Sequence, residues 1–291
     1  MSITARARRA EERGFTSLGA VDRLVYDSYE PFTALAVAAG APSRIRLTTG
    51  ILLAPLRADR ALFAKSAATL DRLSGGRLVL GLAPGPRQDD YTAGGVDFRR
   101  RGKLFDALVE RAVRQWERPG DGIGPAPATP GGPPLLFGGT SQATLRRMTA
   151  HGAGWVGGAS GVAGFRAFLP KVRKAWQDAG RAGTPRLVGT ANFALRPDAE
   201  QRLRGRLLDY YAFAGAYAQR SAAAGLTTAE QVTREAAAYA EAGCDELILF
   251  PNGGSWALSS RVTLFNAWAA LVAQGPCGSP RTAAPHSRCL R

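Results

Sequence analysis

Gly138, Gly139, Thr140 and Ser141 stand in a row between a short apolar run, Leu135–Phe137, and a stretch of helical period, Gln142–His151. Free amides at a helix start, glycines that let the backbone approach closely and two hydroxyls together suit a phosphate. The same four residues also make a plain tight turn with Thr140 or Ser141 as N-cap. A second glycine-rich turn, Gly157 and Gly158 with Ser160, follows the next apolar run and adds weight to the phosphate reading. Pro84, Gly85, Pro86 and Arg87 follow the run that ends at Ala83 and bring a guanidinium within reach of an anionic ligand, where a solvated surface arginine is the simpler alternative. Asp22 and Arg23 end the run Phe15–Val21 and are the candidates to hold or protonate a substrate, the alternative being a surface ion pair. His151, late in a helix and followed by Gly152, reads as a cation at a helix C-terminus rather than a catalyst.

Other chemistries lack their residues. The chain has no GxSxG elbow, no HExxH and no Walker loop, so hydrolase and NTPase readings have neither nucleophile nor phosphate cradle. Cys244, Cys277 and Cys289 show no CxxC spacing, and there are only two histidines, His151 and His286, so neither a disulfide framework nor a metal centre is expected. Transfer chemistry with a bound cofactor is the expectation that remains.

The elements that must position these residues alternate along the chain. Short β-branched or leucine runs exchange with longer helical stretches, which argues a parallel sheet with crossover helices. Strands are predicted at Phe15–Val21, Arg44–Leu53, Arg77–Ala83, Leu135–Phe137, Gly154–Val156, Arg186–Leu195 and Glu246–Phe250. Helices are predicted at Ile3–Arg13, Pro31–Ala39, Asp59–Leu73 (with Leu62, Ala67 and Leu70 facing inward), from Phe98 to about Arg118, and at Gln142–His151, Phe165–Ala179, Thr227–Glu241 and Leu258–Ala273. Residues 84–98 and 119–134 read as Gly/Pro-rich loops, residues 198–224 as an alanine-rich helical insertion bearing Tyr210, Tyr211, Phe213 and Tyr217, and residues 274–291 as a disordered tail. In such folds ligands sit at the carboxyl ends of the strands, where every turn named above falls. Only seven strands are counted; the eighth of a closed barrel would precede Ile3, and Met1–Ser2 is too short to supply it.

At 291 residues with 45% hydrophobic and 21% charged residues, the chain suits one large barrel domain over residues 1–273. No apolar run approaches the roughly 20 residues of a bilayer span, so a cytoplasmic protein without a membrane partner is expected. The net charge of +15 is spread evenly, with 20 Lys/Arg against 13 Asp/Glu in residues 1–120 and 18 against 10 thereafter. That pattern disfavours nucleic acid and fits anionic small molecules.

The run RIRLTTGILLAPLRADRALFAKSAATLDRLSGGRLVLGLAPGPRQDDY from Arg44 to Tyr91, continued by GGVDFRRRGKLFDAL, resembles the luciferase-like flavin-dependent monooxygenases and their deazaflavin-dependent relatives. AEERGFTSL at Ala10–Leu18, GGTSQATLRR at Gly138–Arg147 and AGCDELILFP at Ala242–Pro251 match in the same order. The resemblance implies a TIM-like (β/α)8 barrel, here lacking its first strand, that binds FMN or the deazaflavin coenzyme F420. It places the phosphate at Gly138–Ser141 and the flavin ring against Thr49, Gly50 and Ala83, with a cis peptide at Gly50–Ile51. Relatives carry a phosphate-binding arginine beside the position of Gly85; here that neighbour is Pro84, leaving Arg87 as the substitute. Relatives also carry a histidine where this chain has Arg23. The activity implied is a reduced-FMN-dependent monooxygenase acting on a small organic substrate, with reduced flavin supplied by a separate reductase and a homodimeric assembly. The alternatives are deazaflavin-dependent hydride transfer and a degenerate, non-catalytic flavin-binding protein.

Overall fold

The computed structural model describes residues 2–41, 44–117, 122–195 and 197–252. The predicted helix 258–273 and tail 274–291 lie outside them. Seven strands, β1 (Ser17–Ala20), β2 (Arg46–Leu53), β3 (Leu78–Ala83), β4 (Leu135–Gly138), β5 (Gly154–Val156), β6 (Arg186–Phe193) and β7 (Glu246–Pro251), pair in chain order, and every pair is parallel. Parallel neighbours require crossovers. These are the helices α2 (Pro31–Ala39), α3 (Arg60–Leu73), α4 (Gln88–Ala93), α5 (Arg101–Glu117), α6 (Gln142–His151), α7 (Gly161–Asp178), α8 (Ala199–Tyr210), α9 (Ala216–Ala223) and α10 (Ala229–Glu241), with α1 (Ile3–Glu12) before β1. The sheet curls into a nearly closed TIM-like barrel.

Local chemistry sets the boundaries. Asp59 accepts from the Leu62 amide and starts α3, and Thr228 with Gln231 forms a reciprocal capping box that starts α10. Pro31 occupies the first turn of α2. Two expectations fail. The loop 84–98 contains α4, whose Asp89 and Asp90 at the first turn suit a helix N-terminus. Leu62, predicted to face inward, is 59% exposed, and Phe63 and Ala64 are buried beside Ala67 and Leu70 instead, because the inner stripe of α3 runs one position later.

Strand alternation divides the core in two. Leu47, Leu80, Phe137 and Trp155 face outward and pack with helical residues such as Phe105 and Phe165. Val79, Leu136, Val156 and Val188 face inward and form a smaller cluster joined by Ile51 and Ile248. Among the described residues β1 and β7 form no ladder with each other. They are tied at their N-terminal ends by side chains, where the Glu246 carboxylate accepts from Ser17, Arg186 and, at 3.3 Å, Arg46. A buried carboxylate satisfied by three donors is a tenable interior group; an unpaired one is not.

The inner face of β2 is irregular. The Gly50–Ile51 peptide is cis, and the β2–β3 register shifts between Thr49 and Leu52. Ile51 reaches across to β4, and a Cβ on Gly138 would lie 2.3 Å from Ile51 Cδ1. A Cβ on Gly81 would lie 2.3 Å from the Thr49 carbonyl oxygen. Both glycines are therefore required by close approach rather than by turn geometry.

Candidate active site

The carboxyl ends of the strands surround a cavity of about 1180 Å³ that runs down along the β1–β7 side. Its size exceeds the usual small-molecule site and leaves room for a cofactor and a substrate together. Of the residues singled out from sequence, Asp22, Arg23, Gly50, Ala83, Gly85, Arg87, Gly139, Thr140 and Gly157 line it. Thr49, Gly138 and Ser141 do not, and each has another task. Thr49 is buried and its hydroxyl donates to the Gly81 carbonyl at 2.8 Å. Gly138 makes room for Ile51, and Ser141 caps α6 by accepting from the Thr144 amide at 3.2 Å.

That cap defines the anion-binding capacity of the turn. The first amides of a helix have no intrahelical acceptor, and Ser141 satisfies only that of Thr144. The amides before it stand at the positive end of the α6 dipole, a place that favours an anion. Gly139, at φ 112°, has a backbone conformation that other residues adopt only under strain. Its carbonyl accepts from the Trp155 indole at 2.8 Å, which fixes the plane of the turn. At the neighbouring turn a Cβ on Gly157 would meet Phe165 at 2.8 Å and one on Gly158 would meet the Tyr217 hydroxyl at 2.9 Å. The residues present thus fit a phosphate-bearing planar cofactor: open amides, bare backbone and a large chamber beside them.

The charged candidates are all held by protein partners. Asp22 is 7% exposed, accepts from the Leu53 amide at 2.8 Å and pairs with Arg57 at 2.9 Å. Burial raises its carboxyl above the ordinary range, opposed by the Arg57 charge. Arg23 pairs through Nε with buried Asp90 at 2.6 Å, and Asp90 also accepts from the Leu24 and Val25 amides at 3.0 and 2.9 Å. The guanidinium lies over the rings of Tyr26 and Tyr210, at 5.7 and 5.1 Å. An arginine so placed stays charged and fixes the loop after β1; it does not shuttle protons. Arg87 pairs with Asp89, donates to the Tyr210 carbonyl at 2.7 Å and lies over the Phe213 ring at 5.1 Å. It thereby clamps the end of α8 over the mouth. His151 is the last residue of α6 and is not among the cavity residues.

Several residues of the chamber were not singled out as site residues from sequence. Tyr210, Tyr211, Phe213 and Tyr217 of the helical insertion line it, and their clustering in an otherwise alanine-rich stretch was the visible signal. Asn192, Asn252 and Asp90 also line it, and no local motif marks them. Among the described residues there is no group of three or more His, Cys, Asp and Glu side chains that could hold a metal. No described helix is long and apolar enough to cross a membrane.

Comparison with known proteins agrees with this architecture. An uncharacterized protein of Mycobacterium tuberculosis is 30% identical over 209 residues, covering 60% of this chain and 71% of the relative. The F420-dependent secondary alcohol dehydrogenase solved with an F420–acetone adduct superposes with a TM-score of 0.72 at 18% identity, covering 93% of each chain. The oxygenating constituent of 3,6-diketocamphane monooxygenase from Pseudomonas putida, solved with FMN, superposes with a TM-score of 0.66 at 13% identity over 94% of this chain and 91% of its own. These two share the barrel, and between them hold both kinds of coenzyme. The profile of the luciferase-like monooxygenases matches residues 2–249, from the first helix to the last described strand, and the chain belongs to that family.

Proposed function

We propose that the protein is a flavin-dependent oxidoreductase that binds FMN and, with the flavin reduced, oxygenates a small organic substrate. The observation that carries the reading is the turn at the start of α6, where Gly139 and Thr140 line a chamber large enough for cofactor and substrate. Bound flavin would supply the electrons and the oxygen chemistry. The chain's own residues bind, orient and enclose. Gly139, Thr140 and the start of α6 would hold the phosphate. Gly50, Ile51 and Ala83 would underlie the ring, with Gly157 at its edge. The Arg87 clamp on Tyr210 and the tyrosines of the insertion would exclude water from the mouth. No cavity-lining histidine is present among the described residues, and Asp22, Arg23 and Arg87 are all paired, so the protons offered to a ligand are chiefly those of tyrosine hydroxyls, which are weak acids. This favours chemistry that depends on orientation and shielding over chemistry that needs a protein acid.

The test is a titration of FMN into the wild type and Gly139→Val. A branched side chain at φ 112° displaces the turn and removes phosphate hydrogen bonds worth about 1–3 kcal/mol, a weakening of roughly five- to over a hundredfold. Undiminished binding would mean the phosphate is held elsewhere. A second reading, hydride transfer with F420, is supported by the superposition on the F420-dependent alcohol dehydrogenase. Absorbance and fluorescence of the cofactor that co-purifies separate the two, and failure to bind either favours a non-catalytic protein.

A further inference from the structure

Asn192 is the seventh residue of β6 and shares its inner face with Val188 and Thr190. It is buried, and its Oδ1 accepts from Asn252 Nδ2 at 3.0 Å. Asn252 is itself fixed: the same Nδ2 donates to the Phe250 carbonyl at 3.0 Å and its backbone amide to the Phe193 carbonyl at 2.8 Å. A carboxamide has one accepting and one donating end, so a partner that presents donors sets its orientation. The Asn192 Nδ2 is left as a buried donor with no hydrogen bond of normal geometry to any described residue, in a side chain that lines the cavity. The Tyr211 hydroxyl lies within hydrogen-bonding reach of this amide, which has two N–H groups to give, and of the Tyr217 hydroxyl, with the two tyrosine rings edge to face at 5.1 Å. Burial raises both phenols, so both stay protonated and uncharged.

Buried donors without acceptors are rare and costly in folded proteins, and one that faces a ligand chamber is matched by the ligand. Asn192, Asn252, Tyr211 and Tyr217 are all uncharged. A carboxylate or phosphate would enter this group without a countercharge, whereas a neutral carbonyl oxygen needs only the donors present. We propose that Asn192 Nδ2, with the Tyr211 hydroxyl beside it, seats a carbonyl oxygen of the cavity ligand. That oxygen comes from a ring carbonyl of the flavin, a source that rests on the reading above, or from a ketone or aldehyde substrate, which does not.

Asn192→Asp keeps an acceptor toward Asn252 at nearly constant volume and replaces the donor by an oxygen; Asn192→Leu removes the donor without adding charge. Wild type and both variants, checked for an unchanged thermal midpoint, are titrated with FMN by flavin fluorescence. The same proteins without flavin are titrated with acetophenone and with ethylbenzene, which lacks the oxygen, by calorimetry. If the flavin is the source, FMN affinity falls roughly tenfold or more in whichever variant folds. If the substrate is the source, FMN affinity holds, while wild type prefers acetophenone to ethylbenzene by about tenfold and the variant loses that preference. Unchanged FMN affinity together with no acetophenone preference, or with a preference that the variants retain, overturns the proposal. A wild type that binds no flavin sinks the cofactor reading instead, and the acetophenone arm still reads the seat.

Discussion

The contact between Gly138 and Ile51 gives a sharp test of how the inner face of the barrel is built. A Cβ at residue 138 would sit 2.3 Å from Ile51 Cδ1 and 3.5 Å from the Ala83 methyl, so only the isoleucine end is in conflict. Ordinary carbon contacts begin near 3.5 Å, and Cδ1 must retreat by about 1 Å or more into a cluster that is already filled by Val79, Leu136 and Val156. Overpacking of this kind costs about 1–3 kcal/mol. Ile51→Val deletes the offending methyl and alone costs about 0.5–1.5 kcal/mol, toward the low end because Ile51 is half-buried. The two substitutions should therefore compensate: in the Gly138→Ala background, Ile51→Val becomes stabilising, and the double variant lies close to Ile51→Val alone. Urea midpoints at constant m give the cycle, with an expected coupling of about 1–3 kcal/mol. Additivity within about 0.5 kcal/mol would show that the two side chains do not compete for one slot and that Gly138 is needed for something else.

Asp90→Asn should lower stability by about 3–5 kcal/mol, read as a urea midpoint, because it leaves the buried Arg23 cation facing an amide; a loss below about 1 kcal/mol would mean that the loop after β1 does not depend on this pair. The Asp22 carboxyl, raised by burial, favours the folded state most at pH below its ordinary value of 3.8 and progressively less as pH rises through its folded value. The stability of wild type relative to Asp22→Asn should accordingly be greater at pH 4 than at pH 7, and the opposite slope in paired urea titrations would refute the sign. Burial pushes the Cys244 thiol up to about 12, so in a Cys277→Ser, Cys289→Ser background it should resist a thiol reagent at pH 8 until urea unfolds the chain, and rapid native labelling would contradict its burial.

Most of the frame was legible because each element announces itself locally. Pro31 and Gly40 bracket α2, Thr228 starts α10 and Ser141 starts α6, all within a few residues of where the pattern places them. The cis peptide at Gly50–Ile51 followed from the family alignment and not from local propensity. What stayed hidden depends on contacts distant in sequence. Nothing near Asp90 says that its carboxylate will organise residues 23–25, more than sixty positions earlier. Nothing near Gly138 says that its hydrogen is owed to Ile51 on another strand. Asn192 reads locally as one polar residue in an apolar strand, and only the pairing of β6 with β7 and the return of the insertion over the strand ends bring Asn252, Tyr211 and the cavity to it. Leu62 shows the limit of periodicity itself, since a shift of one residue moves a leucine from the core to the surface.

The hydrogen bond from the Trp155 indole to the Gly139 carbonyl couples the proposed phosphate turn to a chromophore. Trp155 is almost fully buried among Phe165 and Phe168, with ring centroids at 5.1 and 5.4 Å, and it is among the residues that line the cavity. Indole emission responds to its hydrogen-bond acceptor and to any neighbour able to accept its excitation. A ligand that draws on the turn alters the first, and an aromatic ring entering the cavity supplies the second. The emission of wild type minus that of Trp155→Phe is therefore a built-in optical gauge of occupancy, one that reads the turn separately from the chamber because an inorganic phosphate would move only the first signal.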